Sequence, residues 1–151
     1  MADMPVEEYL CSRIRRAEQA LMAHHEGVLR GHGLTMTQYT VLLALSREGG
    51  MSAAQAARAC GVTQQSMASV VATMEGKGLV RRDPSPVHAK VQIVTPTDEG
   101  LAVLGRAYEE VIVLERALTD AFTPAEHAAL CDLLDRTTAV LVDQTPPART
   151  R

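Results

Sequence analysis

Five short polar side chains lie close together in the sequence and offer hydrogen bonds in both directions: Thr63, Gln64, Gln65, Ser66 and Ser69. Hydroxyl and amide groups of this reach suit the reading of base edges in a DNA major groove. The first turn of a helix, with its free backbone N–H groups, also suits a phosphate. We therefore predict that this stretch contacts DNA.

The elements that would position these side chains are two short helices joined by a tight turn. Ser52 and Gln55 have the spacing of a capping box and predict the start of the first helix, while Gly61 suits the left-handed position at its end. Thr63 is a good N-cap for the second helix. Apolar residues recur along that helix at three- and four-residue spacing, which predicts one buried stripe: Met67, Val70, Val71 and Met74. This spacing is that of a helix-turn-helix.

A short hairpin is predicted directly after the second helix. Residues 79–82 are typical of a strand, residues 83–86 of a turn, and residues 90–95 alternate as a second strand. A hairpin in this place is a wing, and cations on it would meet the phosphate backbone and the minor groove. The predicted wing contacts are Arg81, Arg82, His88 and Lys90.

The charge of the chain is unevenly distributed. Its 151 residues have a net charge of -3, yet residues 50–95 hold five basic and only two acidic residues, or +3. The remainder of the chain therefore carries -6. A basic module within an acidic frame is expected of a DNA-binding protein whose other part has another task.

Amphipathic helices are predicted on both sides of this module. Residues 5–30 have a helical apolar stripe, and Thr35 with Gln38 predicts the capped start of a largely apolar, central helix. A long helix is expected from Thr97 to about Phe122, followed by a last helix with its own capping box. We divide the chain into four parts. Residues 1–34 form a dimerisation helix, residues 35–96 the winged helix-turn-helix DNA-binding module, residues 97–145 two further dimerisation helices, and residues 146–151 a tail.

The outer helices predict an assembly of two copies, because one copy offers them too little apolar surface to pack against. A two-fold homodimer would place two second helices about one DNA turn apart, on an inverted repeat in double-stranded DNA. The predicted fold is thus mainly α with a small β wing: a winged helix-turn-helix of six helices and a two- to three-stranded sheet, in a two-fold homodimer.

Several classes of function are excluded. The sequence has no Gly-rich phosphate loop, no paired carboxylates in a pocket-forming context and no nucleophile beside an orienting base, so we predict neither an enzyme nor a cofactor. It has no run of eighteen apolar residues and no apolar leader, which predicts neither membrane insertion nor export. Three cysteines at distant positions form no disulfide framework, as expected in the cytoplasm.

Three strings carry a resemblance to a known family: GLTMTQYTVLLAL, SAAQAARACGVTQQSMASVVATMEGKGLVRR and TDEG. Together they closely resemble the MarR family of winged-helix transcriptional regulators, over residues 10–140. The resemblance implies an obligate homodimer, with the first and the last two helices pairing and the wing on DNA. It also implies a repressor released by a small molecule or an oxidant.

The sequence departs from the family pattern at two places. His88 and Lys90 stand where the family usually has Asp and Arg, and Lys lacks the planar fork of Arg, so minor-groove reading should be weaker. Pro96 stands where the family prefers Leu, and because Pro removes a donor from the ladder we expect an edge there.

The resemblance also implies a ligand pocket where the first, second and fifth helices meet the winged module. The polar groups that the sequence offers there are Arg15, His25, His32 and Tyr39. Arg and His pair with carboxylates and phenolates, which favours a small aromatic or phenolic ligand.

Two alternatives remain open from the sequence. Cys11 is placed relative to Gln38 like the reactive cysteine of the hydroperoxide-sensing branch, and Arg15 and His25 could lower its pKa, although the tyrosines of that branch are absent and an inert thiol is favoured. A winged helix that binds protein instead of DNA is the other alternative. His127 and Cys131 have the spacing of two metal ligands on one helix face, but no further ligands surround them, so we predict no metal site; Cys60 is expected to be core.

Overall fold

Six helices and three short strands make up the chain in the computed structural model, which describes Pro5, residues 9–85 and residues 91–144. In chain order they are α1 (Leu10–Gly31), α2 (Met36–Glu48), β1 (Met51–Ser52), α3 (Ala53–Ala59), α4 (Gln64–Gly76), β2 (Val80–Pro84), β3 (Gln92–Pro96), α5 (Asp98–Asp120) and α6 (Pro124–Asp143). This is the predicted mainly α winged helix-turn-helix. The chain forms two compact units, residues 1–111 and residues 112–151.

The helix starts follow the local signals in the sequence. All three predicted capping boxes are present, with the N-cap hydroxyl and the third helical residue bonding each other's backbone, at Thr35, Ser52 and Thr123. Between α3 and α4, Gly61 has a φ of 64°, which a residue with a side chain adopts only at a cost. The turn of the helix-turn-helix is therefore specified locally.

The core of the first unit is aliphatic and centres on α2, as predicted. Val41, Leu42 and Leu45 of α2 are completely buried, together with Leu29 of α1. From α4, the predicted stripe supplies three fully buried side chains, and Val70 packs against the same core. Burial of this stripe turns the opposite face of α4 outward.

The sheet has the strand order β1-β3-β2 and is antiparallel throughout. The first wing strand is longer than predicted, because Asp83 and Pro84 pair with Ile93 and Gln92 and do not form a turn. The residue that follows Pro84 also bonds across the hairpin, since the N–H of Ser85 donates to the carbonyl of Val91 at 2.8 Å. The prediction that the turn begins at Asp83 was wrong, since the ladder continues through Asp83 and Pro84, and Pro86 lies outside the described residues.

Pro96 lies at the end of the central strand and not on an edge strand. It is opposite Val80 of β2, whereas the pairing of β1 with β3 stops at Met51 and Val94. The end of β3 thus has a neighbour on one side only, and that is where a residue without a backbone donor is tolerated.

The TDEG segment joins the wing to α5 through close backbone contacts. The Thr97 hydroxyl donates to the Gly78 carbonyl at 2.6 Å and accepts from the N–H of Gly100 at 3.0 Å, and the N–H of Thr97 donates to the Leu79 carbonyl at 3.0 Å. A side chain on Gly100 would overlap the Leu79 carbonyl. Glycine is needed here for close approach.

The second unit contains the end of α5 and all of α6. α6 buries none of its side chains, and its leucines are among the more exposed apolar residues, Leu133 at 54% and Leu134 at 49%. In the first unit, the apolar side of α5 is likewise only partly buried. Leu101 and Tyr108 are exposed to solvent, whereas Val103 and Leu104 are buried. Among the described residues, no helix is long and apolar enough to cross a membrane.

Candidate nucleic-acid interface

The start of α4 presents its polar side chains to solvent. Thr63 has extended backbone angles, and its hydroxyl accepts from the N–H of Ser66 at 3.1 Å. The three residues that follow Thr63, together with Ser69, are exposed. Because Met67 and Val71 are buried on the other face, these polar groups cannot turn inward without exposing the core.

The polar side chains of α4 differ in what they can still bind. The Thr63 hydroxyl is already engaged, since it caps the helix and lies 2.9 Å from the Ser66 hydroxyl. Within the part of the chain that the structure describes, the amides of Gln64 and Gln65 make no hydrogen bond. A free glutamine amide can bond an adenine through two groups at once, so these two residues are the best suited to base reading.

Both wing arginines form ion pairs with carboxylates of the chain itself. Arg81 Nε lies 2.9 Å from Asp83 Oδ2, and Arg82 Nε lies 3.3 Å from Glu75 Oε2 at the end of α4. All four side chains are at least 36% exposed, and ion pairs in such positions are weak. A phosphate can therefore compete for either guanidinium. The other predicted wing contacts, His88 and Lys90, lie outside the described residues.

Lys77, at the end of α4, is exposed, yet its ammonium is bonded to groups of the protein. Its ammonium donates to the Gly33 carbonyl at 2.8 Å and to Gln38 Oε1 at 3.2 Å. From the sequence, Lys77 was only one of the five basic residues of the 50–95 module, and no partner was predicted for it. The available signal was Gln38, a polar residue on an apolar helix, which would need a partner once buried.

The predicted ligand residues are spread along α1 and α2. Arg15 and His25 are on α1, the former exposed and the latter half-buried, and Arg15 is roughly 25 Å along the helix axis from His32. His32 Nε2 lies 3.0 Å from Glu110 Oε1 of α5. Tyr39 is buried in α2, and that burial, with the nearby Tyr108, raises its pKa against the opposing effect of Arg47. One small ligand could not reach all four predicted residues in a single chain.

A cavity lies beside the α1–α2 turn, close in sequence to His32 and Tyr39. Its volume is about 420 Å³. It is lined by Glu26, Arg30, Leu34, Thr35, Met36 and Thr37. This volume is within the range of small-molecule sites, and Arg30 is a cation at its wall.

The three cysteines have different environments. Cys11 and Cys131 are exposed, whereas Cys60 is half-buried against the core, and burial raises the pKa of its thiol. Cys131 Sγ lies 3.8 Å from His127 Nδ1. Among the described residues no three potential metal ligands come together, so this pair has no further donor from that set.

Comparison with known proteins identifies the family. The model described as "MarR family" matches residues 32–90. Protein Rv2011c of Mycobacterium tuberculosis is 31% identical over 80% of this chain and 84% of its own length. The HTH-type transcriptional repressor Rv2887 of the same organism is 36% identical over 50% of this chain, and the chain spans about half (54%) of that relative.

Solved structures agree with this assignment. The transcriptional repressor CouR, bound to a 23-mer DNA duplex, has a TM-score of 0.77 and 27% identity, over 88% of this chain and 94% of that one. The PcaV regulator from Streptomyces coelicolor, in complex with its natural ligand, has the same fold, with a TM-score of 0.75 and 24% identity over 92% and 98% of the two chains. The chain belongs to the MarR family of winged-helix transcriptional regulators, which are DNA-binding proteins and not enzymes.

Proposed function

We propose that the chain binds an inverted-repeat operator as a homodimer, in the cytoplasm, and represses transcription. The observation that carries this proposal is the start of α4, where Gln64 and Gln65 are exposed with free amides, opposite an apolar stripe of which three side chains are fully buried. That helix would enter the major groove, and β2 would bring Arg81 and Arg82 to the phosphates.

The exposed apolar residues of the second unit support the dimer. Leu133, Val140 and Val142 of α6 are 54%, 62% and 69% exposed. Burial of these side chains would stabilise a dimer by about 25 cal/mol for each Å² of apolar surface removed from water. A second copy of the same chain, related by a two-fold axis, would cover these residues in both subunits at once. The dimer would then carry two copies of α4, one for each half of a palindromic site.

The DNA contacts are tested by fluorescence anisotropy with the duplex upstream of the chain's own gene. Gln65→Ala removes a base contact, which should weaken binding by about 1–3 kcal/mol. Arg82→Ala removes a phosphate contact, which should make the slope of log K against log salt shallower by about 0.9. The matched controls are Gln19→Ala, an exposed glutamine of α1, and Arg106→Ala, an arginine of α5 in an exposed ion pair with Glu99.

The results test the assigned DNA interface separately from DNA binding itself. If wild type binds and both site variants bind as tightly as the two controls, the assignment of α4 and β2 as the interface fails. If binding of the wild-type chain hardly depends on salt, the chain acts on a partner other than duplex DNA.

We further propose that a small aromatic or phenolic acid releases the repressor. His32 already contacts a carboxylate, that of Glu110, and lies in the sequence between Arg30 and Leu34, which both line the 420 Å³ cavity. A ligand carboxylate would replace Glu110 at His32. BpsR of Bordetella bronchiseptica, which shares the fold, has its DNA binding regulated by 6-hydroxynicotinic acid.

A thermal-shift screen with hydroxybenzoates and hydroxynicotinates tests this proposal. A ligand at one hundred times its Kd stabilises the folded chain by about 2.7 kcal/mol, and the same compound should release the DNA. His32→Ala should abolish the shift, whereas His24→Ala, an exposed histidine of α1, should not. A compound that shifts His32→Ala as much as wild type would place the ligand elsewhere.

A further inference from the structure

Lys77 joins the end of α4 to a turn far away in the sequence. Its ammonium bonds the Gly33 carbonyl, 44 residues away, and the Gln38 side chain, 39 residues away. Gly33 lies in the turn between α1 and α2, and Gln38 is in the first turn of α2. Lys77 therefore connects α4 to the junction of α1 and α2.

Gln38 makes this connection specific. It is 5% exposed and is the one buried polar or charged residue in the described part of the chain. Its Oε1 accepts from Lys77 and from the N–H of Thr35, which closes the capping box of α2. A buried amide oxygen that loses a charged donor is left with poorer pairing, so the lysine cannot move to another partner without cost.

We propose that Lys77 is a positioning residue, which fixes the orientation of α4 on the α1–α2 turn and does not contact DNA phosphate. This inference rests on the proposed use of α4 in the major groove. α4 has 13 residues and is about 20 Å long, so freedom at its Lys77 end tilts the polar side chains at its start. Base contacts tolerate only a few tenths of an ångström in donor–acceptor distance, and the tilt weakens them.

The alternative role for Lys77, a phosphate contact, predicts a different salt dependence. Each phosphate contact to B-DNA contributes about 0.9 to the slope of log K against log salt. Loss of a positioning residue weakens binding at every salt concentration and leaves the slope unchanged. The slope therefore distinguishes the two roles where affinity alone does not.

The test uses the full-length chain and the anisotropy assay, at five salt concentrations. Lys77→Met keeps most of the aliphatic stem and removes the charge, and Gln38→Met removes one of the two partners of Lys77 but leaves the charge on α4. Each should weaken binding roughly fivefold to tenfold, and the loss in the double variant should be smaller than the sum of the two single losses, because both disrupt the Lys77–Gln38 contact. Arg81→Met serves as the phosphate-contact control, with a slope shallower by about 0.9.

The possible results separate the inference from the proposed function. A slope for Lys77→Met that changes as much as that of Arg81→Met overturns the positioning role, even if wild type binds DNA as proposed. Wild-type affinity in Gln38→Met overturns it as well, and this variant decides alone if Lys77→Met does not fold. If wild type does not bind duplex DNA, the proposed function fails first and the inference with it.

Discussion

Gly100 provides the sharpest test of how the wing is attached to α5. A Cβ built on this residue overlaps the Leu79 carbonyl oxygen and lies 2.9 Å from the Leu79 carbonyl carbon, both backbone atoms that cannot rotate away. The first turn of α5 would have to move, which strains or breaks the two hydrogen bonds from Thr97 to Gly78 and Leu79. Gly100→Ala should therefore destabilise the fold although alanine is the better helix former.

The magnitude follows from three contributions. Overpacking of this kind costs about 1–3 kcal/mol. Two neutral hydrogen bonds contribute about 1 kcal/mol each, and the higher helix propensity of alanine returns at most about 1 kcal/mol. The net loss should be about 3 kcal/mol, or a fall in Tm of about 6–12 °C for a chain of this length.

Gly105 is the matched control, because it lies in the same helix and a Cβ there meets nothing within 4 Å. Gly105→Ala should be more stable than wild type by about 0.4–1 kcal/mol. Both variants are melted by circular dichroism at equal protein concentration, since the Tm of a dimer depends on concentration. Equal melting temperatures for the two variants would refute the close approach of α5 to Leu79.

Three further predictions concern titration and reactivity. Hydrogen bonds from the backbone and hydroxyl of Thr123 lower the pKa of Glu126, so the stability they add is present above the ordinary pKa of a glutamate and is lost as pH falls through the lowered pKa. Glu126→Gln should therefore show a weaker acid dependence in urea unfolding. Burial raises the pKa of Tyr39, so the folded state disfavours the ionised phenolate and stability falls as pH rises through the raised pKa. Tyr39→Phe, which cannot ionise, should lose less stability in alkaline denaturation. Burial also raises the pKa of Cys60, which should make it the slowest thiol toward iodoacetamide by peptide mass mapping; labelling ahead of Cys11 and Cys131 would contradict this.

The parts of the fold that depend on neighbouring residues could be predicted from the sequence. The capping boxes that begin α2, α3 and α6 involve residues three positions apart, and the stripe of α4 repeats every three or four residues. Strand limits were predicted less well, because pairing across the sheet decides them. Met51 and Ser52 form β1 only through β3, more than forty residues later, and Asp83 and Pro84 continue a ladder despite their turn-like composition.

The candidate site shows the same division. Exposure of Gln64 and Gln65 follows from the helical period, and both were predicted as DNA contacts. The bonds of Lys77 to Gly33 and Gln38 join residues about forty positions apart, and no local pattern indicates them. The His32–Glu110 pair spans 78 positions. The helical period therefore predicted which polar side chains are exposed, whereas the partners of the charged residues could be found only in the structure.

These partners change how the basic module should act on DNA. The Lys77 ammonium is bonded to Gly33 and Gln38, and Arg81 and Arg82 face Asp83 and Glu75, the two carboxylates that lower the charge of the module. Each exposed pair contributes only about 0–1 kcal/mol, so a phosphate can displace the carboxylate, which then stays near the DNA and repels it. We therefore expect Glu75→Gln to tighten DNA binding, most strongly at low salt, where charge repulsion is least screened. Unchanged affinity at low salt would show that Arg82 does not exchange Glu75 for phosphate.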